Sequence, residues 1–405
     1  MKREAKRALV PKLRFPEFRE KREWTAVSLG DASSPVVERV GRRKLTPVSI
    51  SAGTGFVPQA EKFGRDISGN QYQLYTLVRD GDFVYNKGNS LKFPQGCVYQ
   101  LRGWGEVAAP NVFISFRLKD GYSDVFFQNC FEQNVHGLQL QKHITSGARS
   151  NGLLNISKEH FFGVEIPTPS LDEQQKIAEC LSTLDEVIAA SGQQLDALKA
   201  HKKGLMQQLF PIEGETLPRL RFPEFQDASE WQTKTVGCLT DPVSPPKKLQ
   251  TTDYRSAGRI PVLDQSQDYI CGWTDDEEAA ITEDLPFVVF GDHTCALKFI
   301  DVPFAQGADG IKILKAKEEI ADQFLFYSLQ ANPVGQESYK RHFSTLREKI
   351  IGFPDKDSGE QHRIASCLSS LDELIAAQSD QLETLKLHKK GLMQQLFPAP
   401  EETRA

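Results

Sequence analysis

The chain has 405 residues, 39% apolar and 25% charged, which places it among ordinary globular proteins and excludes fibrous or low-complexity classes. Its 49 Lys+Arg against 54 Asp+Glu give a net charge of −5, which taken alone argues against a polyanion-binding protein. No run approaches the length of a membrane span, no apolar stretch follows the basic N-terminus, and seven scattered cysteines (Cys97, Cys130, Cys180, Cys238, Cys271, Cys295, Cys367) contain no CxxC pair. A cytoplasmic protein with reduced thiols and no metal site is the expectation.

The first recognisable element is the box Leu13-Arg14-Phe15-Pro16-Glu17-Phe18, followed by Trp24 and Gly30. It recurs 207 residues later as Leu220-Arg221-Phe222-Pro223-Glu224-Phe225, with Trp231 and Gly237. Between the boxes, a region of about 24–157 reads as short strands, among them 81–87 and 111–116, and then a Phe-rich helix around 124–134. The region 231–345 repeats that pattern, with strands at 285–291 and 310–314 and a helix around 321–330. Leu91-Lys92-Phe93 and Leu297-Lys298-Phe299, 206 residues apart, suggest that the two regions share a fold.

After each region comes a segment with helical period. Glu173-Gln174-Gln175-Lys176-Ile177-Ala178 matches Glu360-Gln361-His362-Arg363-Ile364-Ala365 at an offset of 187, and HKKGLMQQLFP is identical at 201–211 and 388–398. Ile177, Leu181, Leu184, Ile188, Leu195, Leu198, Leu205 and Leu209 follow steps of four and three once Ser191 and Lys202 are counted, which is a heptad seam. The second copy breaks its seam at the matching Gln378 and Lys389, so the two helices are expected to pair with each other in a fixed register. Helices of this length span roughly 55–60 Å.

The expected fold class is α/β (α+β): two mixed domains separated by two long antiparallel coiled-coil helices with a pseudo-twofold internal repeat. The expected boundaries are a box at 1–23, a first domain at 24–169, a long helix at 170–211, a second box at 212–230, a second domain at 231–357, a second long helix at 358–398 and a tail at 399–405. Divided this way, the charge is uneven: residues 24–157 hold 14 Lys+Arg and 10 Asp+Glu, a net +4, whereas 231–349 hold 13 and 18, a net −5.

No catalytic constellation emerges. There is no G-x-x-x-x-G-K-[ST] loop and no Asn-Pro-Pro-aromatic motif. Pro354-Asp355 with Glu360 and His362 is only a fragment of a nuclease site, and Asp292-His293-Thr294 lacks a nucleophile partner. A duplicated coiled-coil adaptor and a stand-alone nuclease are the rival readings.

Twin boxes, twin Glu-Gln-x-x-Ile-Ala openings, Leu-Asp-Glu at 184–186 and 371–373, and the repeated Lys-Lys-Gly-Leu-Met-Gln-Gln-Leu-Phe-Pro end together resemble the specificity subunit of type I restriction-modification systems across essentially the whole chain. The resemblance implies that each domain is a target recognition domain reading one half of an asymmetric bipartite DNA site, while the helices set the spacer. It implies a non-enzymatic chain whose partners are double-stranded DNA, two adenine methyltransferase subunits and motor-nuclease subunits, with S-adenosylmethionine, ATP and Mg carried by those partners. Basic and amide-bearing loops supply the DNA-contact candidates, because such side chains bridge phosphates and read purine edges. They are Arg42, Arg43, Lys87, Asn89, Lys92, Arg149 and Asn151 in the first domain, and His293, Lys298, Lys340, Arg341, His342 and Arg347 in the second. The partner-docking candidates are Phe15, Phe18, Phe222 and Phe225 of the boxes.

Overall fold

A computed structural model describes residues 9–88, 93–144, 154–212, 215–308, 310–335 and 340–398. The chain divides into two compact units, one made of residues 1–190 with 382–405 and the other of residues 191–381. Each long helix therefore contributes to both units.

The first unit holds two four-stranded sheets. One runs in the order Gly55–Pro58, Thr46–Ser51, Glu106–Ala109, Thr76–Arg79, and the other Ser33–Pro35, Ile114–Leu118, Phe83–Asn86, Cys97–Gln100. A ribbon of Thr25–Ser28 with Glu165–Thr168 completes it. Phe83, Val84 and Tyr85 are all fully buried, so this strand is covered on both faces. Alternation sorts them: Phe83 and Tyr85 join Phe116, Phe126, Phe131 and Phe161 in the core beneath the helix Asp124–Glu132, while Val84 faces Val48, Ile50 and Val107.

The second unit repeats the plan, with sheets ordered Gly272–Thr274, Ile260–Leu263, Phe304–Gln306, Ala280–Ile281 and Thr240–Val243, Ile311–Ala316, Phe287–Gly291, Leu297–Ile300. Gln232–Thr235 pairs with Ile350–Phe353 as the ribbon. Val288 and Phe290 pack under the helix Asp322–Ala331, and Phe287 and Val289 pack on the opposite side with Phe304 and Ile313. One strand pair is parallel in each unit, Thr46–Ser51 with Glu106–Ala109 and Ile260–Leu263 with Phe304–Gln306. The mixed α/β class with two sheet units is thus observed. The Leu-Lys-Phe match, however, is not a structural equivalence: Leu297-Lys298-Phe299 lies within a strand, whereas Phe93 precedes the strand Cys97–Gln100 and 91–92 fall outside the described residues.

The long helices run over Leu171–Leu209 and Glu360–Leu396. Acidic residues occupy their first turns, where they oppose the helix dipole, and Pro211 and Pro398 follow their ends. The polar seam positions are engaged between the helices, Gln378 with Ser191 on the seam and each lysine with an aspartate one residue past a seam leucine. In the first unit Lys389 Nζ lies 2.7 Å from Asp185; in the second unit Lys202 Nζ lies 2.6 Å from Asp372, and Gln378 Nε2 donates to Ser191 Oγ at 2.8 Å. Residues 191 and 202 thus meet 378 and 372, an antiparallel contact. Asp372 also accepts from Tyr327 Oη at 2.8 Å, while Lys389 has Glu132 at 3.7 Å.

Each unit is locked by a buried polar latch. Glu173 receives Arg14 through both carboxylate oxygens at 2.7 Å and Trp24 Nε1 at 3.2 Å. Glu360 receives Arg221 at 2.9 and 2.6 Å and Trp231 Nε1 at 3.2 Å. The next residue ties the helix start to the sheet domain: Gln174 accepts from Ser123 N, and Gln361 accepts from Ala321 N. The repeated ends complete both cores. The Phe210 ring lies tilted against Phe324 at 5.3 Å, and that of Phe397 lies 5.3 Å from Phe126 and 6.2 Å from Trp24. Leu13 N donates to Gln395 O and Leu220 N to Gln208 O, both at 2.9 Å.

Candidate nucleic-acid interface

In each unit the central strand of the second sheet turns back through a hairpin, and the hairpin meets the segment that leads into the last short helix. In the first unit the strand Phe83–Asn86 is followed by Lys87, whose carbonyl accepts from Leu154 N at 2.8 Å. The hairpin base is braced by Tyr85 Oη donating to Gln95 O at 2.7 Å and Asn86 Nδ2 donating to Ile50 O at 2.7 Å. Gly96, at φ +80°, is required here, because a Cβ would lie 2.4 Å from the Asn86 carbonyl oxygen. Lys87 is half-buried. Asn89, Lys92, Arg149 and Asn151 lie outside the described residues.

The second unit makes the same bond with different side chains. Asp292 directly follows the strand Phe287–Gly291, and its carbonyl accepts from His342 N at 2.8 Å. His342 Nδ1 also approaches that carbonyl at 3.1 Å, and Asp292 Oδ1 accepts from Phe343 N at 2.9 Å, at the start of the helix Phe343–Glu348. His293 Nδ1 is 3.2 Å from the Lys340 carbonyl. The hairpin and the segment 340–343 are thereby held as one element. His293, Lys340, Arg341 and His342 come together there, with Lys340 and Arg341 exposed and His342 buried.

Two second-domain candidates lie elsewhere. Lys298 is 4% exposed, and its ammonium donates to Asp264 O at 2.8 Å and Asp268 O at 2.6 Å, so it braces a loop from within. Burial lowers its pKa. Arg347 is exposed in the last turn of the helix Phe343–Glu348, with its Nε beside Gly237. The cluster of Lys247, Arg255 and Arg259 is neutralised within the unit by Asp276, Asp275 and Glu277.

Arg42 and Arg43 are both exposed in a turn of the first unit. Arg43 pairs with Glu38 at 2.8 Å, and Arg79 reaches the same carboxylate at 2.6 Å. Hydrogen bonds from these two guanidiniums, Arg79 first, pull the Glu38 pKa down to about 2. Arg42 makes no ion pair or hydrogen bond among the described residues.

The box phenylalanines cover the first turns of the long helices. Lys176 Nζ lies 6.0 Å from the Phe15 ring centre, and the Arg363 guanidinium lies 4.3 Å from that of Phe222. Phe18 is buried, and Phe15, Phe222 and Phe225 are half-buried. The latch residues Arg14, Glu173, Arg221 and Glu360 were not singled out by motif, although their identity in both repeats was the signal. Glu360 in particular is the buried partner of Arg221 and Trp231, which removes it from any nuclease site, and no group of three metal-ligating side chains occurs among the described residues. No helix of the described residues is long and apolar enough to cross a membrane.

Residues 106–200 match the family model described as the type I restriction modification DNA specificity domain. Among curated proteins, the chain is 24% identical over 297 residues to the type I restriction enzyme MjaVIII specificity subunit of Methanocaldococcus jannaschii, covering 65% of this chain and 68% of that protein. It is 25% identical over 274 residues to the putative MjaX specificity subunit of the same organism, covering 60% of each. Among solved structures, the S subunit of a type I restriction-modification system from M. genitalium superposes with a TM-score of 0.61 at 14% identity, over 96% of this chain and 100% of that one. A chain from a structure of type I complex assembly and conformational transition superposes at 0.54 and 16% identity, over 93% and 98%.

Proposed function

We propose, on the premise that this chain is a specificity subunit of a type I restriction-modification system, that its two sheet units read the two unlike halves of one bipartite DNA site. The observation that carries the reading is the DNA specificity domain matched at 106–200 on a chain that builds the same sheets and the same hairpin bond twice. Equivalent architecture supports equivalent approaches to the groove, and the different hairpin side chains support different half-sites.

The long helices set the unread gap. At 39 and 37 residues they extend about 58 and 55 Å, more than the roughly 34–36 Å that separates equivalent groove surfaces one turn apart. With a net charge of −5 the chain has little general attraction for phosphate, so its partners supply much of the affinity. Those partners are two methyltransferase subunits docked on the repeated frames, and motor-nuclease subunits. S-adenosylmethionine, ATP and Mg belong to them, and this cytoplasmic chain performs no chemistry of its own. It fixes where a partner extrudes its adenine.

The test is co-expression with the methyltransferase subunit, followed by sequencing of methylated adenines. Two unlike motifs at a constant separation are expected; methylation without a bipartite motif overturns the reading.

A further inference from the structure

We propose that Arg341 reads a guanine in the half-site of the second unit, and that Asp292 and His342 are the positioning residues that aim it. The proposal rests on the DNA-reading role of the second unit given above.

Arg341 is exposed and makes no ion pair or hydrogen bond among the described residues. Other arginines of the unit are engaged: Arg221 with Glu360, Arg255 with Asp275, Arg259 with Asp275 and Glu277, Arg363 with Glu224. Arg347 has its Nε against Gly237, at the frame. Among the described residues Arg341 therefore offers an uncommitted guanidinium on the element that joins the hairpin to the last short helix.

Its backbone is held on both sides. The Lys340 carbonyl meets His293 Nδ1 at 3.2 Å, and His342 N donates to Asp292 O at 2.8 Å. Asp292 is 5% exposed and tightens the same turn twice more, through Phe343 N at 2.9 Å on its carboxylate and through its own N–H donating to Gly310 O at 2.6 Å. Lys87, which holds the equivalent place in the first unit, shares the carbonyl bond and supplies no carboxylate. Fixing the backbone on either side of a long side chain lowers the ordering cost of using it, while the planar fork remains available.

A guanidinium so placed has two possible uses on DNA. It can neutralise a phosphate, or it can donate two parallel hydrogen bonds to O6 and N7 of guanine in the major groove. The second unit carries a net −5 over residues 231–349, a field that disfavours phosphate. Among neutral base edges, guanine presents the pair of acceptors that fits the fork.

The experiment uses the full chain in complex with its methyltransferase partner, selecting from duplexes randomised in both half-sites. The wild type should require guanine at one or more positions of one half-site. Arg341→Ala should relax one such position by roughly 5- to 150-fold, the range for one bidentate contact, and leave the other half-site unchanged. Arg341→Lys should relax it as well, because an ammonium is a point charge without the fork. Asp292→Ala should weaken the same position, and Asp292→Asn, which keeps an oxygen acceptor for Phe343 N, should restore it.

Uniform weakening on all sequences with a shallower salt dependence, retention of the guanine preference in Arg341→Lys, or unchanged selection in Arg341→Ala would each overturn the proposal. If Asp292→Ala does not fold, the two Arg341 variants decide it alone. A wild-type complex that selects no bipartite sequence defeats the broader DNA-reading role; a wild type that selects one while Arg341→Ala changes nothing defeats this inference only.

Discussion

The two sheet units share their strand order and a buried Arg-Glu-Trp latch, yet the residue after the central strand is Lys87 in one and Asp292 in the other. The contrast follows from which atoms each position uses. Glu173 and Glu360 engage with their side chains, each buried and holding an arginine and an indole, so neither can change alone without leaving a buried group unpaired. At the hairpin the shared bond uses only the backbone carbonyl of Lys87 or Asp292. The side chain there is free to differ while the turn is kept.

The largest losses are expected at the phenylalanines that close the two cores. Phe397→Ala should cost about 3–5 kcal/mol in the first unit, and Phe210→Ala the same in the second, since both rings are nearly fully buried. Hydrogen exchange followed along the chain should show each loss confined to its own unit; a loss shared by both would mean that the units do not unfold separately. Next come the latches. Glu173→Ala and Glu360→Ala each leave a guanidinium 7% or 11% exposed without its partner, and each should cost about 3 kcal/mol in denaturant unfolding. A cost below 1 kcal/mol would make the latch no better than a surface ion pair.

Glu38 has its arginine pair only in the first unit, since Pro245 stands at the same offset of 207. Its folded pKa, about 2, lies below the ordinary 4.5, so the pairing favours the fold fully above about pH 4.5 and is lost as pH falls toward 2. An NMR titration should place the Glu38 midpoint near 2, and Arg79→Ala should return it toward 4.5.

Much of this architecture was legible because it is written twice. The repeated box and the identical HKKGLMQQLFP marked the frame, and the seam breaks at Ser191, Lys202, Gln378 and Lys389 proved to be polar positions engaged between the helices. What pattern could not supply was which polar side chains turn inward. In Leu297–Ile300 the alternation suggests Leu297 and Phe299 as the buried pair, whereas the pleat buries Lys298 and Ile300, with the ammonium satisfied by two carbonyls 30 and 34 residues away in sequence. His342 is hidden for the same reason, since its partner Asp292 lies 50 residues back. Such partners become neighbours only through the sheet order, which no local period encodes.

The ring of Phe397 against Trp24 and Phe126 bears on how the chain is made. In the second unit the corresponding Phe210 emerges from the ribosome before Trp231, so that core can assemble as it is synthesised. The first unit must wait for a residue about 370 positions downstream of Trp24, on the order of half a minute at ordinary elongation rates. Through that interval its aromatic core stays open on one side, so vectorial synthesis finishes the later unit first and leaves the earlier one exposed to chaperones or to association with another nascent chain.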